Sequence, residues 1–377
     1  MPGKINASLK GKLKNVEWGE YKLDDLFEIV GTKSLDSNAI EFTNTGINFV
    51  GRTFENNGIQ GKIQERKFAP NEPYTITATV IGNYKYVKYQ KEPYYCSQNI
   101  NKLTPKPIIS KWNERIAYFF ATNIQKFVSL YDHQQSGYKL DDIKKHIIKI
   151  PIKSDGIDFD FIENFVEIIE KEHISKIANY LKVNSLENYV LTDEEQDSIN
   201  NYGNLIFNNF DITKIFDINN TKNILSRDIV EDSGTTPYLC ASADNNAVSS
   251  YITYDEKLKD KGDCIFIGGK TFVVTYQEND FYSNDSHNLA LYLKNYEKNK
   301  FNQLYFVTCI YKSLSHKYSW GDSVSGEKIK SDIIALPTKN GNVDVESMTT
   351  FISAIQKLVI KDVVLYVSNK LNEGREI

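Results

Sequence analysis

The sequence predicts an α+β protein with a pseudo-twofold repeat: two tandem units of curved β-sheet and short helices, separated by two long antiparallel helices with a coiled-coil-like seam. Three observations predict it. Short motifs recur half a chain later, β-like runs cluster between turn signals in each copy, and a helical apolar period follows each cluster. Within the 377 residues, Leu26-Phe27-Glu28-Ile29 aligns with Ile215-Phe216-Asp217-Ile218 at an offset of 189. The same offset pairs Asn56-Asn57 with Asn245-Asn246, Gln98-Asn99 with His287-Asn288, and Ser136-Gly137-x-Lys139 with Ser325-Gly326-x-Lys328. Ile150-Pro151 and Leu336-Pro337 follow at an offset of 186. Matches in this order mark a duplication.

In the first copy, Gly46–Val50, Tyr74–Ile81 and Lys85–Tyr89 are β-branched and aromatic runs bounded by Gly, Asn and Pro, and read as strands. The second copy offers Asp263–Ile267 and Thr271–Tyr276. An aromatic helix is expected inside each copy, at Trp112–Leu130 and Phe301–Leu314. After the first Pro, apolar positions recur at Ile162, Val166, Ile169, His173, Ile177 and Tyr180. After the second they recur at Val345, Met348, Ile352, Ile355, Val359, Val363 and Tyr366. Steps of three and four give each helix a narrow seam, and packing one seam on the other covers both, the alternative being that each helix packs on its own unit. The expected boundaries are 1–154 for the first unit, 155–200 for its helix and linker, 201–342 for the second unit, and 343–377 for the last helix.

Composition bounds the function. Four isolated cysteines (Cys96, Cys240, Cys264, Cys309) argue against a zinc ribbon or a secreted disulfide scaffold. Met1–Asn6 has no apolar leader core, and no run reaches the ~18 apolar residues of a membrane span, so a soluble cytoplasmic protein is expected. The net charge of -4 hides an asymmetry. From Arg52 to Lys149, 16 Lys/Arg face 8 acids; from Asp155 to Asp197, 12 acids face 3 Lys. From Tyr238 to Thr338 the balance is near zero, with 11 Lys/Arg and 12 acids. A basic first unit suits phosphate contact.

Catalytic motifs are missing. Gly268-Gly269-Lys270-Thr271 looks like the end of a phosphate loop, but Cys264 stands where its first Gly is needed. Asn71-Glu72-Pro73-Tyr74 departs from the methyltransferase motif it approaches, and reads as a turn into a strand. Glu65-Arg66-Lys67 has no upstream Pro-Asp to complete a nuclease site. The five histidines lack metal-ligand spacing, and His173 reads as a seam residue. Recognition or assembly fits better than catalysis.

The polar loops that repeat could supply recognition. Asn and Gln amides can pair with adenine edges and Arg with guanine, while Lys and Gly-turn amides hold phosphates. Taken singly, each such loop reads as an ordinary turn; their repetition is what favours function.

At these residues the sequence resembles the DNA-specificity subunits of type I restriction–modification systems and the related type IIB subunits. The likeness lies in the twofold repeat, the Ser-Gly-x-Lys…Pro segment before each long helix, and the opening Leu23-x-x-Leu26-Phe27-x-Ile29. Ile47-Asn48-Phe49-Val50-Gly51-Arg52-Thr53…Asn56-Asn57-Gly58 looks especially like the type IIB branch. The resemblance implies two target-recognition domains that read the halves of a split double-stranded DNA target, with paired helices setting the gap. It implies no catalytic residue, cofactor or metal in this chain. The expected partners are two S-adenosylmethionine-binding adenine methyltransferase subunits, a restriction subunit being a further candidate, with no membrane. On this reading Arg52, Asn56, Asn57, Gln60, Lys62, Gln134 and Lys139 face DNA in the first unit. In the second, Ser242, Asn245, Asn246, Lys270, Trp320 and Lys328 do so. Ala241 stands where Arg52 would align. The alternatives are a stand-alone methyltransferase or nuclease, or an adaptor that binds only protein through its long helices.

Overall fold

The computed structural model describes residues 11, 13–154 and 156–373. Met1–Asn6, Asp155 and 374–377 lie outside the described residues. The chain divides into two compact units, 1–176 and 177–377.

In the first unit the strands are β1 (Glu17–Lys22), β2 (Phe27–Gly31), β3 (Ser34–Leu35), β4 (Ile47–Val50), β5 (Ile59–Ile63), β6 (Thr75–Thr79), β7 (Val87–Gln90), β8 (Tyr94–Ser97), β9 (Ile100–Pro105), β10 (Ile147–Lys153) and β11 (Gly156–Ile157). Its helices are α1 (Leu23–Leu26), α2 (Glu114–Val128), α3 (Leu140–Lys145) and the greater part of α4 (Phe159–Val183), the unit boundary falling at Lys176 within that helix. The strands form three small sheets ordered β2-β9-β6-β7, β3-β8-β4-β5 and β1-β10-β11. Helix α2 starts on Asn113, whose side chain accepts the Ile116 amide. Its apolar stripe (Ile116, Phe120, Ile124, Phe127) covers β6 and β7, with Phe120 edge-on to Phe27 at 5.2 Å.

The second unit repeats this order. Its strands are β12 (Phe207–Asp211), β13 (Phe216–Asn220), β14 (Thr236–Leu239), β15 (Val248–Ile252), β16 (Cys264–Ile267), β17 (Val274–Gln277), β18 (Tyr282–Ser283), β19 (Leu289–Leu293), β20 (Ile333–Lys339) and β21 (Asn342–Val343). Helices α5 (Asp193–Asn200), α6 (Ile212–Ile215), α7 (Lys300–Leu314), α8 (Gly326–Ile329) and α9 (Val345–Glu373) complete it. Sheet β13-β19-β16-β17 matches β2-β9-β6-β7 strand for strand, and Phe216 meets Phe306 edge-on at 5.3 Å.

Three expectations are corrected. The run Thr271–Tyr276 enters its strand only at Val274, because Phe272 (φ 53°) turns the chain. Strand β7 begins at Val87, two residues late, because Lys85 is drawn into the interior instead. The seams of α4 and α9 are displaced beyond their first turns: His173, Ile177, Tyr180, Val359, Val363 and Tyr366 are exposed, while Ile174, Leu181, Ala354, Val364 and Val367 are buried. Adjacent apolar pairs such as Val363-Val364 leave the phase open by one residue, about 100° of rotation. At 173–174 burying isoleucine avoids the desolvation cost of imidazole. The first turns belong to the units themselves, with Phe159 and Ile162 in the first core and Met348, Phe351 and Ile352 against the second.

Helix α4 also consumes basic charge from its own unit. Lys111 pairs with Asp160 (3.1 Å) and Glu163, and Arg115 with Glu167 (3.7 Å) and Glu170 (2.9 Å). Lys111 and Arg115 are therefore neutralised within the unit.

Candidate nucleic-acid interface

In each unit a hairpin closes on the repeated Asn-Asn. Strands β4 and β5 slip register between Phe49 and Val50, and β14 and β15 between Tyr238 and Leu239. Gln60 and Ser249 are the extra residues, and the turns that lead into them run through left-handed backbone at Asn56 and Asn57 (φ 43° and 55°) and at Asn245 and Asn246 (φ 48° and 52°). Asparagine tolerates that region better than other residues with a side chain. The amide of Asn56 donates to the Ile59 carbonyl (3.0 Å) and that of Asn57 to Tyr89 (2.8 Å). Asn245 donates likewise to Val248 (2.9 Å) and Asn246 to Tyr276 (3.0 Å). Gln90 and Gln277 answer by donating to the carbonyls of Asn57 (3.3 Å) and Asn246 (2.9 Å). The repeated pair thus has a conformational cause, and its amide donors are committed to the fold. Asn57→Ala is expected to lower the stability of the first unit by about 1–2 kcal/mol, read from the denaturant midpoint.

Three further turns converge beside each hairpin. In the first unit they are the β6–β7 turn, Gln98-Asn99, and the loop after α2. The Lys85 ammonium, only 1% exposed, donates to the carbonyls of Gly82 (3.0 Å), Tyr131 and Gln134 (3.1 Å). The Val80 amide donates to Asn99 (2.9 Å) and the His133 amide to Asn83 (2.6 Å). Gly137 (φ 62°) lies so close that a Cβ there would sit 1.9 Å from the Val80 carbonyl oxygen. The exposed Phe54 ring bridges hairpin and turn, 5.9 Å from Tyr86 with the Lys88 ammonium 4.5 Å above it. Burial pushes the Lys88 ammonium below its ordinary range.

The second unit joins the equivalent turns with different residues. The Val324 amide donates to Gly269 (3.0 Å), the Gly269 amide to the Asn288 side chain (2.9 Å), and the Thr271 hydroxyl to Ala241 (2.9 Å). Asp285 pairs with Lys270 (3.3 Å) and with the His287 ring (2.8 Å). Burial alone would raise the Asp285 carboxyl, but the His287 amide and ring and Lys270 together hold it below the usual aspartate range.

Each residue expected at DNA can now be placed. Arg52, Gln60 and Lys62 are exposed on the first hairpin, Gln60 folded over Gly51. Lys62, Asn56 and Asn57 line a cleft of about 460 Å³ with Asn48, Gln90, Lys91 and Glu92. Gln134 and Lys139 are exposed, the Gln134 amide donating to Leu130 (3.2 Å). Ser242 accepts the Asp244 amide (3.2 Å), and Lys270 stands beside Asp285. Trp320 is 76% exposed at the tip of a turn closed by Ser319 and Asp322. The Lys328 ammonium is held by Asp322 (2.6 Å) and the Ser323 carbonyl (3.1 Å), so it braces the Trp320 turn. Asn56, Asn57, Asn245, Asn246 and Lys328 therefore shape loops with the groups expected to contact DNA.

The Ser-Gly-x-Lys match hides a difference. Ser325 caps α8 by accepting the Lys328 amide (3.2 Å), whereas in the first copy the helix starts after Lys139 and Gly137 serves close packing. Sequence reasoning missed Lys85, Phe54, Tyr86 and Lys88. The only signal was a basic-aromatic alternation that also reads as an ordinary strand.

Among the described residues no three His, Cys, Asp or Glu side chains are grouped so as to hold a metal, and no helix is long and apolar enough to cross a membrane. The family model for the type I restriction modification DNA specificity domain matches twice, over residues 15–179 and 206–365. The specificity subunit S.BcgI of a type II restriction enzyme from Heyndrickxia coagulans is 23% identical over 354 residues, covering 92% of this chain and 96% of that protein. A type I restriction-modification S subunit from M. genitalium, solved by crystallography, shares the fold with a TM-score of 0.61 at 13% identity, over 98% of this chain and 94% of that one. Matched in both halves by one family, with a repeat visible strand for strand, the chain belongs to the type I restriction–modification DNA specificity family.

Proposed function

We propose that this chain, as a DNA-specificity subunit, reads a bipartite double-stranded target with one half-site per unit, and that it positions adenine methyltransferase subunits there. The observation that carries this reading is the paired convergence. Both units lock the same hairpin and the same three turns onto one edge, yet display different side chains there: Arg52, Phe54, Tyr84 and Gln134 in one, Ser242, Lys270, His287 and Trp320 in the other. A common scaffold with different displayed groups is what two different half-sites require. S-adenosylmethionine and catalysis belong to the partners, two methyltransferase subunits with a restriction subunit as a further candidate, in the cytoplasm. The relative from Heyndrickxia coagulans supports a type II branch, and the family model a type I one.

The test is co-purification of the native complex followed by mapping of methylated adenines in host DNA. A bipartite methylated sequence is expected; a chain that binds protein alone would show no salt-dependent retention of DNA. Arg52→Ala is expected to cost roughly 1–3 kcal/mol of discrimination at one position of one half-site and little at the other, measured by selection from a mixed DNA library. Even weakening across all sequences would instead make Arg52 a phosphate contact.

A further inference from the structure

We infer that Gln98 and His287, which occupy the same place in the repeat, are specificity-determining residues, one for each half-site. The inference rests on the bipartite reading above and names which groups do the discriminating. Gln98 sits between β8 and β9, and His287 between β18 and β19, in the turn at the centre of each convergence. Both side chains are exposed, while their neighbours are fixed. In the first unit Ser97 and Ile100 are buried, and Asn99 (φ 61°) accepts the Val80 amide through its carbonyl. In the second, Asn288 and Leu289 are buried, and the Asn288 side chain is locked by the Gly269 amide (2.9 Å), Ser283 (3.0 Å) and Asn284 (3.1 Å). Each turn therefore displays Gln98 or His287 on a base held by buried neighbours and backbone bonds, which is what preorganised recognition needs.

The displayed chemistry differs in a way that suits different bases. The Gln98 side chain is exposed and makes no hydrogen bond among the described residues, so both its amide donor and its carbonyl acceptor are available, the pair that matches an adenine edge. His287 is already oriented. Its backbone amide donates to the Asp285 carboxylate (2.9 Å), and its Nδ1 faces the same oxygen at 2.8 Å. With Nδ1 engaged by that carboxylate, Nε2 is left as the single ring nitrogen for a partner, and a single hydrogen bond reads a different set of base edges from a paired one. Lys270 takes the other Asp285 oxygen at 3.3 Å, so the cluster presents one imidazole and one ammonium side by side.

The experiment uses the full-length chain assembled with its methyltransferase partners, carrying Gln98→Ala or His287→Ala, in selection from a randomised bipartite DNA library at two salt concentrations. Each variant is expected to lose about 10-fold or more discrimination at one base pair of its own half-site, with the other half-site and the salt dependence unchanged. His287→Gln, which keeps a hydrogen-bonding side chain on the same turn, is expected to change the preferred base at that same pair. Unaltered discrimination at both half-sites would overturn the inference. So would uniform weakening with a shallower salt dependence, which marks a phosphate contact. Selection of no bipartite sequence by the wild-type complex would overturn the reading beneath it, and that is seen before any variant is compared.

Discussion

Replacing Lys85 by methionine is expected to unfold the recognition edge of the first unit while leaving the second intact. The ammonium is almost wholly buried and is the shared donor for Gly82, Tyr131 and Gln134, which belong to two different loops. Neighbouring groups fix the same backbone: the Lys85 amide donates to Asp132 (2.9 Å), and Gln125 of α2 both donates to the Lys85 carbonyl (2.8 Å) and accepts the Val87 amide (2.8 Å). Methionine fills most of the stem but donates nothing, so the Gly82 carbonyl loses its partner, while those of Tyr131 and Gln134 keep only the amides of Gln134 and Gly137 (3.2 Å each). One orphaned acceptor costs about 1–3 kcal/mol and each lost bond to the ammonium about 1.5–3 kcal/mol, and relaxation of the loops toward water recovers part, leaving a loss of roughly 3–5 kcal/mol. Denaturant unfolding should show the first unit's transition shifted and the second's unmoved, with discrimination lost at one half-site. A first unit that unfolds at the wild-type midpoint would show that the ammonium does not hold the turns. Arginine should not rescue the variant, because its planar fork cannot replace a compact ammonium inside this cage.

Lys85 also shows where sequence stops being informative. The repeat, the aromatic helices and the five strands β4, β6, β7, β16 and β17 were legible because each depends on local pattern: β-branched and aromatic runs for β6 and β16, an aromatic, apolar run for α2. Asn-Asn was legible as a repeated feature, but its cause was not, since the carbonyls that receive Asn57 and Asn246 lie 32 and 30 residues away. Lys85 reads as one more surface lysine in a basic segment, and only the loop 46 to 49 residues later makes it a buried post. The seam of α4 failed for a related reason. Steps of three and four fix a stripe to within one residue, and whether His173 or Ile174 faces inward depends on what the fold brings against it. Long-range partners decide such cases, and a single sequence does not contain them.

Lys357→Met should produce a comparable loss in the second unit, by a mechanism whose size depends on pH. The Thr192-x-x-Glu195 segment forms a capping box at α5: the Glu195 amide donates to the Thr192 hydroxyl (3.2 Å) and the Thr192 amide to the Glu195 carboxylate (2.8 Å). The same carboxylate reaches α9, where it accepts from the Ser353 hydroxyl (2.6 Å) and the Lys357 ammonium (2.6 Å), and Lys357 also donates to the Val190 carbonyl (3.0 Å). Burial pushes Glu195 toward its neutral form, but Lys357, Ser353 and the Thr192 amide outweigh it and hold the carboxyl below the usual glutamate range. A depressed folded value means that this group's contribution is fully present above the unfolded glutamate value and is lost as pH falls through the folded one. Removing Lys357 at neutral pH strands a buried carboxylate, at a cost of about 3–5 kcal/mol. Acidification should therefore narrow the gap between variant and wild type, because the protonated carboxyl is no longer an unpaired charge while the wild type loses its ion pair. A further Glu195→Gln change in the same chain should recover much of the loss at neutral pH, since an amide keeps the capping contacts without the charge. If the gap between Lys357→Met and wild type stayed constant from neutral pH to below the glutamate range, the contribution of Lys357 would be packing of its stem and not neutralisation of Glu195.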